Sequence, residues 1–352
     1  MNDKQDLTTG TISKKLIAYA LPLLAANLLQ SFYSLMDMLV VGRIVGETGL
    51  AAISNASMLS FIINSVCIGI TMGGTVLAAQ YKGAKDEHGQ IEIIGTLFTV
   101  AFIAAVLVTA AGLAAYRPLF RLLHVPAPAM EDACGYMKII CYGTIFVFGY
   151  NAVCSIMKGL GDSKSPLYFV AVATVINLVL DLLLVGPFGM GTEGAACATI
   201  FSQGISFVIS VFHLKRKDSV FDFRLSHFSI KTDKLAAILK VGLPTAVQMA
   251  SVNLSYLLIT GMLNQFGVSV AAASGVGLKI NTFAGMPCWA IGQAVTAMAG
   301  PEYGRWQYKT RAKNNQYRAL PKSSYYTYYG FTGTDFWKAA HSPVYPGKPG
   351  ST

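Results

Sequence analysis

Eight stretches of this chain are long and apolar enough to cross a bilayer as helix, and nothing else constrains its fold as much. They run roughly Leu16–Val41, Leu50–Gln80, Ile91–Ala115, Ala133–Met157, Leu167–Gly186, Gly194–Leu214, Leu235–Leu263 and Val270–Ala299. About 20 apolar residues span the hydrocarbon core as helix. Several of the runs exceed that and imply tilt or entry into the headgroup zone. Only 12% of the residues are charged, about half the fraction of a soluble domain. The sequence therefore predicts an all-α polytopic membrane protein embedded in a lipid bilayer. Met1–Lys15 is polar, so no cleavable signal peptide is expected.

Two carboxylates interrupt these runs. Asp37 lies in the first and Asp181 in the fifth. An ionised Asp at mid-bilayer costs about 2.5–3.5 kcal/mol on insertion scales, and such residues usually carry ions or substrate. Asn177 precedes Asp181 by four positions, which puts both on one face of a helix. Thr199 in the sixth run offers a hydroxyl, and Pro22 should kink the first helix and free a carbonyl. Such an oxygen-rich set suits a proton relay or a hard cation such as Na⁺. Against this, Asp37 and Asp181 lie near helix ends, where a carboxylate can instead cap or snorkel. Asn27, Gln30, Asn151, Gln203 and Gln248 are further intramembrane polar groups that can line a substrate cavity or glue helices together. Gly69, Gly73 and Gly74 read as close-packing positions.

Lys and Arg fall unevenly on alternate loops. Lys14, Lys15, Lys82, Lys85, Lys158, Lys164 and a cluster from Lys215 to Lys234 belong to one side, against Arg43, Arg117 and Arg121 on the other. The positive-inside rule puts the N-terminus in the cytoplasm of a cell whose plasma membrane holds the chain. The net charge of +10 does not imply nucleic acid. Residues 301–352 alone supply a surplus of six, and the rest is what a positive-inside bias leaves.

The seventh run echoes the first. Leu21-Pro22 corresponds to Leu243-Pro244, each after a basic segment, and the second and eighth runs share a glycine-bearing middle. Six helices separate the copies, as in parallel repeats about an axis along the membrane normal. The expected organisation is a six-helix N-terminal lobe over 1–214, a cytoplasmic loop over 215–234, and the first two helices of a second, repeated lobe over 235–300. A repeat of six implies twelve helices, so four are expected to be missing. Beyond Gly300 the character changes: 301–352 is rich in Tyr, Lys, Pro and Ser, without an apolar run. It reads as an out-of-frame, disordered tail. In a shifted frame the codons after Gly300 can encode Gln-Asn-Met-Gly-Ala-Gly, close to Gln80-Tyr-Lys-Gly83-Ala84 at the matching place in the first copy.

No enzyme constellation appears. There is no glycine-rich phosphate loop, and none of the six cysteines forms a CxxC pair. No cofactor is expected beyond Na⁺ or H⁺ as a coupling ion.

The whole pattern resembles the multidrug and toxic compound extrusion (MATE) family. The matching stretches are Leu21-Pro22, Ser34-Leu-Met-Asp-Met-Leu-Val-Val-Gly42, Ala78-Ala-Gln80 with Gly83-Ala84, and Lys158-Gly-Leu-Gly-Asp162-Ser-Lys. Asn177-Leu-Val-Leu-Asp181 followed by Gly191-Thr-Glu-Gly194-Ala-Ala-Cys-Ala-Thr199 completes the set, which covers about residues 10–300. The resemblance implies two six-helix lobes around a V-shaped cavity, working by alternating access, with no enzymatic activity. It implies export of cationic or amphipathic organic compounds in exchange for Na⁺ or H⁺, by a chain acting as a monomer. It assigns the first-lobe cation site to Asp37, Asn177, Asp181 and Thr199. The second-lobe acid that some members carry is not seen, because Leu235–Gly300 has no Asp or Glu. Three rivals stand beside this reading. A lipid-linked precursor or polysaccharide flippase of related fold would show more cavity-facing Lys and Arg. An eight-helix receptor would need neither the carboxylate pair nor the repeat. A truncated fragment would do nothing.

Overall fold

A computed structural model describes residues 12–123, 125–217, 227–264 and 268–313. They form eight helices: α1 (Ile12–Ile44), α2 (Glu47–Ala84), α3 (Glu87–Leu122), α4 (Ala127–Gly159), α5 (Lys164–Val185), α6 (Gly191–Lys217), α7 (Thr232–Asn264) and α8 (Val268–Lys313). No strand occurs among the described residues. Among the described residues, seven helices, α1 to α7, are long and apolar enough to cross a membrane. The eighth expected run is helical, and its described part carries Asn281, Pro287 and Gln293 and ends in a polar last third. Large apolar side chains such as Leu39, Phe102, Leu107, Phe201 and Phe212 lie exposed on the outside. In water this would be an association surface. In a bilayer it is where lipid goes.

The chain divides into two compact units, 1–308 and 309–352. Of the second, the described residues are the last turn of α8, ending at Lys313. In the first unit, α1 packs on α5, α5 on α6, α6 on α4, α4 on α2, and α2 returns to α1. This ring encloses the interior of the N-terminal bundle, and α3 covers its flank against α2 and α4. Two apolar cores are stacked along the ring. One gathers Val40, Val41, Ile53, Phe120, Met137, Phe148 and Val185 toward the end where α1 and α5 finish. The other gathers Leu77, Ile94, Leu97, Ile156, Met157, Leu214 and Ile238 toward the end where they begin.

α7 joins the ring through glycine. A Cβ on Gly69 would lie 2.6 Å from the Gly242 carbonyl oxygen, and one on Gly73 would lie 2.5 Å from that of Ile238. The small residues let α2 and α7 touch backbone to backbone, as small-xxx-small pairs do in membranes. Gly74 faces the other way, with the Leu97 side chain of α3 where a Cβ would intrude. All three glycines take the close-packing role that their spacing predicts.

The turn into α5 explains another motif. Gly161 adopts φ 81°, which a side chain rarely tolerates. The turn then delivers the Asp162 carboxylate to the start of the helix. Its Oδ1 accepts from the Lys164 and Ser165 amides at 3.1 Å each, and Oδ2 accepts from the Ser165 hydroxyl at 2.5 Å. Otherwise-orphan amides of the first turn are thus satisfied.

Two expected boundaries move. The 215–234 loop is helical at both ends, since Lys215–Lys217 close α6 and Thr232–Lys234 open α7. Residues 218–226 lie outside the described residues. His227–Lys231 are laid along α3, where the Thr96 hydroxyl donates to the Ser229 carbonyl at 3.2 Å. The expected tail does not begin at Pro301: α8 continues to Lys313. The reason is packing. Gly300 and Gly304 sit against Ala79 and Gln80 of α2, and Pro301 lies on Gly83, so two helix ends interlock through small residues. The remainder of that tail, 314–352, lies outside the described residues.

Candidate functional site

The polar residues of α1 share one face. Asn27, Gln30, Tyr33 and Asp37 fall within about a third of the helix circumference at 100° per residue. On α5, Val170, Thr174, Asn177 and Asp181 do the same within a narrower stripe. Three helices lie between α1 and α5, so the chain reverses four times and the two run parallel. Asp37 lies seven residues before the end of α1 and Asp181 four before the end of α5. That places the two carboxylates at similar depth, near the same end of the bundle.

Neither carboxylate reaches out to water or headgroups. Asp37 is 6% exposed, Asn177 1% and Asp181 0%. The snorkelling alternative is therefore set aside by burial. The two are close enough for their charges to interact, and both act on the phenols of Tyr33 and Tyr136. Tyr33 reaches across from α1 and donates to the Thr199 hydroxyl of α6 at 3.0 Å. α1, α4, α5 and α6 thus each contribute to one buried polar cluster.

The cluster is short of partners. Asp37 Oδ1, both carboxylate oxygens of Asp181 and the Asn177 amide nitrogen are buried without a hydrogen bond. Buried polar groups are overwhelmingly paired, and an unpaired one costs about 1–3 kcal/mol, more when charged. Three acceptor oxygens from two acids in one apolar bundle call for protons or a cation. Oxygen donors alone, with no sulfur or imidazole in the set, match a proton or a hard cation rather than a soft metal.

A small cavity of about 20 Å³ continues the site along the bundle, lined by Gln30, Tyr33, Tyr150, Thr174 and Gln203 among others. That is room for a single water. Asn27 Nδ2 and Gln203 Oε1 are likewise buried and unpaired. Of the residues expected to line a substrate cavity, Gln30 and Gln203 therefore meet in one. Asn151 does not join them: its amide donates to the Val147 carbonyl one turn back, at 2.8 Å. Gln248 is exposed on α7 and does not line this cavity.

Pro22 corrects one element of the expected cluster. α1 runs unbroken through it. The carbonyl that the proline leaves without an amide belongs to Ala18, nineteen residues before Asp37. At 1.5 Å per residue it lies roughly 28 Å from the carboxylates and cannot be one of their oxygen neighbours.

The sequence matches MatE over residues 22–183 and 244–318. The chain belongs to the MatE family. The two matched segments of this MatE chain open at Pro22 and Pro244, the pair of residues that reveals the internal repeat. The first contains Asp37, Asn177 and Asp181, whereas Thr199 and Gln203 fall between the segments. The MatE chain is 32% identical over 303 residues to the "Probable multidrug resistance protein YpnP" of Bacillus subtilis, covering 85% of this chain and 67% of that one. It is also 32% identical over 307 residues to YoeA of the same organism, described in the same words, covering 85% and 66%. The MatE chain thus spans about two thirds of the length of these curated relatives. Its fold is similar to that of a solved MOP-superfamily transporter from Pyrococcus furiosus, with a TM-score of 0.81 at 23% identity over 89% of this chain and 71% of that one.

Proposed function

We propose that the chain forms the ion-coupled lobe of a secondary active antiporter, which exports cationic or amphipathic organic compounds in exchange for Na⁺ or H⁺. The observation that carries this reading is the set of three buried oxygens on Asp37 and Asp181 that have no hydrogen-bond partner and, among the described residues, no ion-pair partner. A proton or Na⁺ arriving there satisfies them, and its departure restores the repulsion between the two acids. Asn177 extends the site by one helical turn, and Thr199 is tied to it through Tyr33. Because α1, α4, α5 and α6 all contribute, a cation entering or leaving changes the forces between helices. Such a change can bias the two access states of a transporter. The names of YpnP and YoeA as multidrug resistance proteins support the choice of cargo. Pro22 is the point at which α1 bends between the two states. The bias of Lys toward the ends of α2 and α4 and the start of α7 supports a cytoplasmic N-terminus in the plasma membrane.

The test is direct cation binding by the full chain in nanodiscs, read with radioactive Na⁺ and, separately, as proton uptake with a pH indicator. Wild type should take up one of the two ions. Asp37→Asn and Asp181→Asn should each weaken that uptake by about tenfold or more, the scale of a lost charged partner. Uptake unchanged in both variants refutes the site.

A further inference from the structure

The faces of α5 and α6 turned away from Asp181 and Thr199 are apolar along their length and basic at one end. On α5, Lys164, Tyr168, Val172, Val175 and Val179 fall within about 80° of the helix circumference at 100° per residue. This stripe lies opposite Thr174, Asn177 and Asp181, and all five of its residues are exposed. On α6, Phe201, Ile205, Val208 and Phe212 form a second exposed stripe, which Lys215 and Arg216 straddle. It lies opposite Thr199 and Gln203. We infer that this outer face holds one anionic phospholipid, with its phosphate on Lys164, Lys215 and Arg216 and its acyl chains along the two stripes.

The three cations belong to one place. α5 and α6 pack against each other and run in opposite directions. Ser165 Oγ and His213 Nε2 are 3.0 Å apart, and the Phe169 and His213 rings meet edge to face with centroids 5.5 Å apart. Those contacts set the start of α5 against the end of α6. Lys164 is next to Ser165, and Lys215 and Arg216 lie about 3–5 Å beyond His213 along the axis. All three are exposed, and among the described residues none pairs with a carboxylate. The nearby Asp162 is buried, with its oxygens on the Lys164 and Ser165 amides and the Ser165 hydroxyl.

The charge is confined to that end. Between Lys164 and Lys215 there is no Lys or Arg, so the far ends of both helices have no cation to offer a headgroup. The apolar stripes have the right length for lipid. From Tyr168 to Val179 is about 17 Å, close to half of the roughly 30 Å hydrocarbon core. One leaflet's acyl chain therefore covers the stripe while its phosphate sits level with the cations. Tyr168, 66% exposed and one turn below Lys164, is placed where amphipathic rings meet headgroups. A phosphate with no ammonium of its own gains the full attraction of the three cations, whereas a zwitterionic headgroup brings a charge that they repel. Anionic lipid is thus preferred, at about fivefold in affinity per cation.

The experiment counts lipids on the full chain by native mass spectrometry in dodecyl maltoside, a neutral detergent. The chain is titrated with phosphatidylglycerol or with phosphatidylcholine of the same acyl chains. Wild type should take up one phosphatidylglycerol at least about tenfold tighter than phosphatidylcholine. Lys164→Gln, Lys215→Gln and Arg216→Gln together should remove that preference with the thermal midpoint unchanged. Arg216→Gln alone should weaken phosphatidylglycerol binding about fivefold, which keeps the test open should the triple variant not fold. Lys85→Gln, Arg121→Gln and Lys138→Gln together remove as much exposed charge elsewhere and should leave the preference intact. Glycerol 3-phosphate, a headgroup without chains, should not displace the lipid. Equal binding of the two lipids by wild type overturns the proposal. So does a preference that survives loss of the three cations, one that the remote triple variant also abolishes, or displacement by glycerol 3-phosphate. None of these results touches the Asp37 and Asp181 reading, which falls on Na⁺ and proton uptake instead.

Discussion

At the scale of single residues, the chain spends polar side chains in two opposite ways. Asp162 is saturated, with two amides and a hydroxyl donating to it, while Asp37 and Asp181 keep bare oxygens. The first is structural and the second chemical, and substitution should separate them. Asp162→Ala should cost about 1–2 kcal/mol of stability, read as a thermal midpoint lower by a few degrees, because it orphans the α5 amides. Asp162→Asn keeps an acceptor and should lose less. Cation uptake by whatever remains folded should be unchanged in both, and a midpoint equal to wild type in Asp162→Ala refutes the capping role. Asp37 and Asp181 were legible in the sequence because an acid in an apolar run is conspicuous. Tyr33 was within reach of the same logic, one turn before Asp37 on the same face. Tyr136 was not, since a tyrosine in an apolar run of α4 looks like any core aromatic until α4 is seen beside α1 and α5. Asn151 misled because its sequence position does not say that its amide is used on its own helix.

At the scale of helices, glycine carries different meanings in α2 and α8. The repeat suggests equivalent glycine-bearing middles, and the positions are indeed there. In α2 they let α7 and α3 approach, while Gly285 and Gly292 of α8 open onto a cavity. Spacing reveals that small residues are required, but whether a neighbour or a void uses the space depends on which helices pack nearby. The contrast yields a matched pair of variants. Gly73→Ala forces a methyl to within 2.5 Å of the Ile238 carbonyl oxygen and should destabilise by about 1–3 kcal/mol. Gly285→Ala adds the same methyl to open space and should leave the thermal midpoint within a degree or so of wild type, or slightly above it. Equal midpoints for the two would show that α2 and α7 are not in backbone contact. The helix boundary at Gly300 teaches a similar lesson. Composition changes abruptly there, yet Gly300, Pro301 and Gly304 pack on the end of α2, and tertiary contact carries the helix onward past the change.

At the scale of the molecule, one end is knitted by basic residues. Lys82 donates to the Leu160 carbonyl, Lys234 to the Tyr81 hydroxyl at 2.6 Å, and Lys231 and Lys234 both pair with Glu92. The clustering of Lys on alternate loops is visible in the sequence, although not the way those side chains tie α2, α3, α4 and α7 together. A cysteine-free background with one added cysteine tests the orientation. Phe188→Cys, in the link between α5 and α6, should react with an impermeant maleimide on intact cells. Lys231→Cys should react only after permeabilisation, and the reverse pattern would invert the topology. The seam between α1 and α8 bears on motion. Tyr19, Ala20 and Leu23 pack against Ala290, Ala294 and Ala297, and the Tyr19 hydroxyl also donates to the Lys158 carbonyl at 2.6 Å. That seam clamps α1 on both sides of Pro22, with Asp37 fifteen residues beyond. The geometry is that of an oar in its rowlock: the arm from proline to carboxylate is roughly 22 Å, so a 10° swing about the clamp would carry Asp37 through about 4 Å. A displacement of that size exceeds the whole length of a hydrogen bond. The carboxylate could not keep its neighbours on α5 through such a stroke, and whatever it held would have to be surrendered.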